Sequence, residues 1–350
     1  MNLEIERELP ALIADTGLMF SYPSALADLY HPAVEQVLLP ELVFPAKTIK
    51  IRVATGYTGE RKNNSLKYQI YNKVTKLLKE EPTLSLADNF IFDARQDTDV
   101  NPAHVLRVAI VILLISETLS KRLGQPAKIT VVLRARASNL AKQMYETLDI
   151  PTVCTDGKVF GDIIVNCEQL IFQNCFQLSP SLLNFEFKGY QKDTPERVFI
   201  PRRGARSLIN NDEVIELLEA KGFKTIYFED LTVPEEWSIA RNAKVAITVH
   251  GAGSYHLLFN RVSLDNMDHG ERFKFIDIFS PYFTLPSASR ELAASVGGRW
   301  SAVRGQITPE GLQAIDFSGK QLNPLMSPVK DPFKVDLKCL EMALNHLEVH

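Results

Sequence analysis

The sequence predicts an α/β protein made of two Rossmann-like domains, and three observations carry that expectation. Strand-like and helix-like segments alternate along most of the 350 residues. The clearest strands, Ile129 to Leu133 and Val245 to Val249, are almost wholly apolar, as parallel strands covered on both faces are. The alternation breaks once, over 177–196, where Pro, Gly and charge mix without a sustained period. The expected division is therefore an N-terminal domain at 1–176, a linker at 177–196 and a C-terminal domain at 197–330. A cleft is expected between the domains, with ligands at the carboxyl ends of the strands.

In chain order, Ile49 to Ala54 reads as a strand, Leu66 to Glu80 as an amphipathic helix and Phe90 to Phe92 as a strand. Asn101 as N-cap and Pro102 at the first helical position open a long apolar helix. Lys121 and Arg122 before Gly124 close it. The strand at Ile129 to Leu133 leads to a helix at Asn139 to Leu148, then a strand at Ile163 to Val165. The second half begins with a strand at Arg197 to Ile200. A helix follows from Asn210 to Lys221, with Asn210 and Glu213 spaced as a capping box and Gly222 ending it. Thr225 to Phe228, Val245 to Val249 and Phe275 to Ile278 read as strands. Pro234 to Asn242, a short segment after Gly253, and Ser287 to Val296 read as helices. Asp331-Pro332 opens a last helix over 331–350, with Leu337, Leu340, Leu344 and Leu347 on one face.

A net charge of −3 leaves no broad basic face, so nucleic acid is not an expected partner. The longest apolar run, Val108 to Ile115, is too short to span a bilayer, and MNLEIERELP has no apolar core of a secretory signal. Cys154, Cys167, Cys175 and Cys339 lack CxxC spacing and read as reduced thiols. Together these point to a cytoplasmic protein without a transmembrane segment, with peripheral membrane contact left open.

Two loops carry the chemistry. The apolar strand at Val245 to Val249 ends in His250-Gly251-Ala252-Gly253 before a helix-like segment from Ser254. Glycines let a backbone approach a ligand, and a helix start offers amides and a positive dipole end, which suits a phosphate. A plain strand-to-helix turn with a capping histidine fits the same four residues. The second loop, IPRRGARSLINN, crowds Arg202, Arg203 and Arg206 beyond another strand of the same domain. Guanidinium forks suit phosphate oxygens, although a solvated loop reads the same way. Two acidic groupings, Asp97-Thr98-Asp99 and Asp265, Asp268, His269 and Glu271, fit polar loops better than a metal site, and no metal ligands are expected. No GxGxxG follows a strand, which argues against a dehydrogenase.

Ile200-Pro201-Arg202-Arg203, Arg206 with Asn210, Gly222-Phe223, Glu229-Asp230-Leu231 and HGAG followed by Leu257, Leu258 and Phe259 occur in that order. This arrangement, over about residues 197 to 300, resembles the catalytic region of glycosyltransferase family 61. Asn101-x-x-His104 resembles a motif of the family's N-terminal domain. The resemblance implies a GT-B-like architecture of two Rossmann-like domains, with a C-terminal crossover helix packing on the N-terminal domain. It implies inverting transfer of a hexosyl or pentosyl group from a nucleotide diphosphate sugar, usually UDP-linked, to a glycan or glycoconjugate acceptor in polysaccharide biosynthesis. The donor is then a co-substrate and no cofactor is required. Arg202, Arg203, Arg206, Asn210, His250, Gly251, Ala252, Gly253 and Ser254 become the donor-binding set. This chain departs from the family in Ser254-Tyr255-His256 after HGAG, in Pro201, and in Val108 where members carry an acid. The base then falls to His104 first, with His250 and His256 as alternatives. The other functional reading is a non-catalytic member that binds a nucleotide sugar or glycan as an assembly or regulatory subunit.

Overall fold

A computed structural model describes residues 2–22, 34–58, 83–97, 99–167, 170, 177, 186–266, 271–282, 287–307 and 329–350. The expected helix over 66–80, Cys175, and Asp268 with His269 lie outside these residues. The chain divides into one unit of Met1–Pro10 with Ala46–Lys188 and another of Ala11–Pro45 with Gly189–His350. The division near residue 188 falls inside the segment read as a linker. In this division residues 11–45 fall with the second unit.

The strands before residue 58 are β1 (Asn2–Leu9), β2 (Leu12–Ala14), β3 (Gly17–Ser21), β4 (Glu35–Leu39), β5 (Leu42–Phe44) and β6 (Lys47–Tyr57). They are followed by β7 (Leu84–Asp93), α1 (Pro102–Leu123), β8 (Ile129–Leu133), α2 (Asn139–Thr147), β9 (Thr152–Cys154) and β10 (Val159–Ile164). In the first unit a sheet runs β1-β6-β10-β7-β8-β9. Its β10, β7, β8 and β9 are parallel, while β1 and β6 pair antiparallel. Helix α1 begins as the sequence predicts: the Asn101 side chain accepts from the Ala103 amide, and Gly124 ends the helix at φ 68°. Among the described residues it is the one helix long and apolar enough to cross a membrane. Here most of its apolar side chains are buried, with Leu106, Ile115 and Leu119 at 0% exposure.

The second half adds β11 (Arg197–Ile200), α3 (Asn211–Glu219), β12 (Lys224–Thr225), α4 (Val233–Asn242), β13 (Val245–Val249), α5 (Val262–Asp265), β14 (Lys274–Phe279), α6 (Ser287–Ser295), β15 (Arg299–Arg304) and α7 (Leu337–His346). Two 3-10 segments, Phe228–Asp230 and Ala252–Phe259, complete it. The sheet of this unit runs β12-β11-β13-β14-β15-β3-β4, parallel throughout except for the final β3–β4 pair. Strands β3 and β4 thus extend a sheet whose other strands begin at Arg197. Gly17 permits the join, because a Cβ there would lie 2.7 Å from the Trp300 ring.

Leu340, Ala343, Leu344 and Leu347 join Phe20, Ile276 and Val303 in the core of the second unit, where α7 lies on β3 and β15. Two expectations about helix ends need correction. The last helix starts later than Asp331-Pro332: Asp336 is its cap and accepts from the Cys339 amide at 2.9 Å. Asn210 precedes α3 without capping it through its side chain. Its carboxamide instead donates to Val335 O at 2.9 Å and accepts from Val335 N at 3.1 Å. The capping box lies at α4, where Thr232 and Glu235 satisfy each other.

Candidate functional site

The strand order places a crevice. After β11 the chain lays β12 on one side and then crosses to β13 on the other, so the connections diverge between β11 and β13. Ligands of open α/β sheets gather at the carboxyl ends beside such a switch point. The loop after β11 carries the three arginines; the loop after β13 is HGAG.

The arginine loop is held from behind. The Arg206 amide donates to Lys330 O at 2.8 Å, the Ile209 amide to Phe333 O at 2.8 Å and the Phe333 amide to Ser207 O at 3.1 Å. Arg206 itself sits at φ 61°, a left-handed conformation that a residue with a Cβ rarely adopts. Arg202 and Arg206 are both half-buried. Loss of solvent lowers the pKa of each. For Arg206, repulsion from Arg202 adds to this, while Asp277 opposes it. Arg203 points elsewhere. It is exposed, spends its fork on the two oxygens of Asp230 at 2.5 and 2.7 Å, and lies 4.1 Å above the Tyr227 ring.

In the HGAG loop, Arg202 Nη1 donates to His250 O at 2.9 Å. A Cβ on Gly251 would overlap that same nitrogen. Gly251 has φ 170°, ordinary extended backbone, so the demand for glycine is one of space. The glycine admits Arg202, a reason for it that the sequence alone did not suggest. Gly253 differs: a Cβ there would meet nothing within 4 Å. The segment that follows is a 3-10 helix and not an α-helix, and its first internal bond runs from the Ser254 amide to Gly251 O at 3.1 Å. The amides of Ala252 and Gly253 precede that bond, at the end that helices leave for an outside acceptor.

Behind the loop lies a residue the sequence reading passed over. Asp277 stands in the middle of the apolar strand Phe275 to Ile278, and its isolation among apolar neighbours was the available signal. It is wholly buried, at 0% exposure. Its Oδ2 lies 2.7 Å from His250 Nδ1, and its Oδ1 accepts from Thr248 Oγ1 at 3.1 Å. Thr248 has one hydroxyl proton and gives it to Asp277. Ser254 must therefore be the donor in the 2.9 Å contact between the two hydroxyls. The Ser254 hydroxyl accordingly faces the strand, leaving only its backbone near the crevice. His250 is further fixed by stacking on Phe279, with centroids 4.5 Å apart.

His256 is a core residue. It is 2% exposed and accepts through Nδ1 from Trp237 Nε1 at 2.9 Å, and burial lowers its pKa to about 3. It is therefore not available as a base. The neighbouring Glu236 carboxyl is pushed up to about 8 by burial, with Glu229 and Glu235 adding to it. Their 3.4 Å approach thus joins two neutral groups near pH 7 and is not an ion pair. The linkage has a definite sign. Folded Glu236 keeps a proton that the unfolded chain releases above about pH 4.5, so its contribution to stability falls as pH rises toward about 8. His256 refuses a proton that the unfolded chain accepts below about 6.5, so its contribution falls as pH drops toward about 3. Glu236→Gln should therefore change urea stability little at pH about 5 and raise it by on the order of 1–2 kcal/mol at pH about 8. An equal change at both values would contradict the buried neutral acid.

In the first unit, Asn101 acts as the N-cap and His104 is half-buried in the first turn of α1. Burial and then Arg107 lower the His104 pKa, which favours the neutral ring. Val108, at the family's acid position, is 1% exposed and packs in the core. Asp99 pairs with Arg134 and accepts from the Ser138 amide at 2.7 Å, so its oxygens already have partners. Among the described residues no group of three or more His, Cys, Asp or Glu could hold a metal.

Comparison with curated proteins gives no match. The family model described as Glycosyltransferase 61 matches residues 30–272, well over half of the chain and further toward the N-terminus than the motifs alone reach. The matched span contains both the arginine loop after β11 and the HGAG loop after β13, and the chain belongs to glycosyltransferase family 61.

Proposed function

We propose that the second unit binds a nucleotide diphosphate sugar, UDP-linked in the first instance, and that the enzyme transfers the sugar with inversion to a glycan or glycoconjugate acceptor. One observation carries this reading. Arg202 Nη1 donates to His250 O at 2.9 Å, which joins the arginine loop after β11 to the HGAG loop after β13 at the sheet's switch point, and the half-buried Arg206 lies on the same loop as Arg202. Two half-buried guanidinium groups attract an anion. A diphosphate is such an anion, and its charge grows as the bond to the sugar breaks. Arg206, the amides of Ala252 and Gly253 and the Nε side of His250 serve that leaving group. Arg202 holds the loop that presents them, and Arg203 is left to brace the loop through Asp230. These cations do the work a divalent metal does elsewhere, so none is required.

We read the two units as the donor and acceptor halves of a GT-B enzyme of cytoplasmic glycan synthesis. His104 belongs to the acceptor half, where its burial-lowered pKa keeps a neutral ring ready to take the acceptor proton. His104→Ala should spare donor affinity and depress turnover by about a hundredfold or more, the ordinary worth of a general base. Loss of donor binding with unchanged kcat would assign it to the wrong substrate. The buried Val108 favours the second reading, a member that binds a nucleotide sugar without turning it over.

A thermal-shift screen across nucleoside diphosphates and their sugars tests the donor site. A ligand at a hundred times its Kd stabilises by about 2.7 kcal/mol. If no nucleotide shifts the transition, the donor reading fails. If one binds but donor hydrolysis and transfer are both undetectable, the binding subunit is favoured.

A further inference from the structure

We propose that Asn210 is a positioning residue for the donor: it clasps a strap formed by residues 330–335, the strap fixes the backbone of Arg206, and Asn210 itself does not touch the nucleotide. This rests on the donor site described above and deepens it, because it moves one member of the expected donor-binding set behind the site.

Adjacent residues of the strap bond to two different loops. Phe333 forms a parallel bridge with Leu208, its amide donating to Ser207 O at 3.1 Å and its carbonyl accepting from Ile209 N at 2.8 Å. Lys334 O accepts from Gln306 N at 2.8 Å, beyond the end of β15. Gly305 makes room for the strap, since a Cβ there would overlap the Phe333 ring. At Asn210 the main chain turns into α3, its carbonyl taken by the Val214 amide at 3.2 Å, and the ladder continues through the side chain instead. A carboxamide carries the same donor and acceptor as a peptide group. This one donates to Val335 O at 2.9 Å and accepts from Val335 N at 3.1 Å. Asn210 is 6% exposed and Val335 0%, so both bonds are made out of water, where a lost partner is not replaced by solvent.

The position gives up a good helix cap to do this. Asparagine at a helix start ordinarily accepts from an amide of the first turn, and α3 begins without that bond. What the strap holds in return is Arg206. Its amide donates to Lys330 O at 2.8 Å, and its φ of 61° is one that a residue with a Cβ keeps only where its surroundings enforce it. Freed from Lys330, the backbone relaxes to negative φ and carries the guanidinium away from Arg202 and Asp277, whose charges it now feels. The Asn210 carboxamide is turned to Val335, so its influence on a diphosphate passes through the strap and Arg206.

The test is calorimetric titration with UDP of Asn210→Ala, Arg206→Ala and the double variant, with urea denaturation to establish that each is folded. Asn210→Ala should weaken UDP by about tenfold, with the loss in Arg206→Ala as the upper bound. In the Arg206→Ala background the same change should cost less than about twofold, because a residue that acts through Arg206 has nothing left to position. A purely structural role would lower the urea midpoint and leave the affinity of the folded variant unchanged. Coupling is reciprocal, so UDP bound to the wild-type chain should slow hydrogen exchange at the Phe333 and Val335 amides beyond any slowing in β4, at the far edge of the same sheet. That measurement stands even if Asn210→Ala fails to fold. Unchanged affinity in folded Asn210→Ala, losses that multiply in the double variant, or strap exchange slowed no more than that of β4 would each overturn the inference and leave the donor site standing. Failure of the wild type to bind UDP overturns both.

Discussion

Replacing Arg206 by alanine is expected to weaken nucleoside diphosphate binding by roughly ten- to a hundredfold, the worth of one charge-assisted hydrogen bond of about 1.5–3 kcal/mol. The fold should survive, because the tertiary anchor at this position is the backbone bond to Lys330 O, which alanine retains. The left-handed φ of 61° supplies a control. Alanine inherits the same strain as arginine, about 1–2 kcal/mol, and glycine does not. Arg206→Gly should therefore be more stable than Arg206→Ala by about 1 kcal/mol or a little less, since glycine also loosens the unfolded chain. Both variants should lose the same affinity. Calorimetry for binding and urea denaturation for stability separate the two effects. If Arg206→Ala binds like the parent while folded, the anion cradle is wrong and HGAG is only a turn.

Leu344→Ala should cost about 2–5 kcal/mol, the range for emptying a well-packed leucine site. Leu344 is 0% exposed and sits with Leu340 and Leu347 among Phe20, Ile276 and Val303. Those partners come from β3, β14 and β15, so the cavity would open under the sheet that carries the donor loops. For a unit of this size the melting temperature should fall by about 2–4 °C for each kcal/mol. Saturating nucleotide should recover part of the loss by mass action. A variant as stable as the parent would show that the last helix is dispensable to the second unit.

That helix marks one limit of the sequence. Leu337, Leu340, Leu344 and Leu347 declare an apolar face, but periodicity says only that the face is buried, not against which sheet. Strand β3 marks another. Its residues, Gly17 to Ser21, were passed over because a five-residue strand near the N-terminus has no local signal that points to Trp300 and β15. Contacts across hundreds of residues are settled by packing, and local propensity does not encode them.

Local physics did determine a good deal. The start and stop of α1 follow from Asn101, Pro102 and Gly124, because caps and left-handed ends are decided within one turn. The strands at Ile129 to Leu133 and Val245 to Val249 follow from unbroken apolar runs, and the family from the order of its loop motifs. The sequence also singled out Arg202, Arg203, Arg206 and His250 as a group by residue type alone. Only the tertiary structure divided that group. It turned Arg203 to Asp230 and Arg202 to the His250 carbonyl, kept Arg206 half-buried at the switch point, buried His256 against Trp237, and set Asp277 behind His250. The reason is that charge and hydrogen-bonding capacity belong to each side chain, whereas their partners are fixed by strand order and register, which place residues 202 and 250 just beyond the ends of neighbouring strands and 277 within the next strand, opposite Thr248.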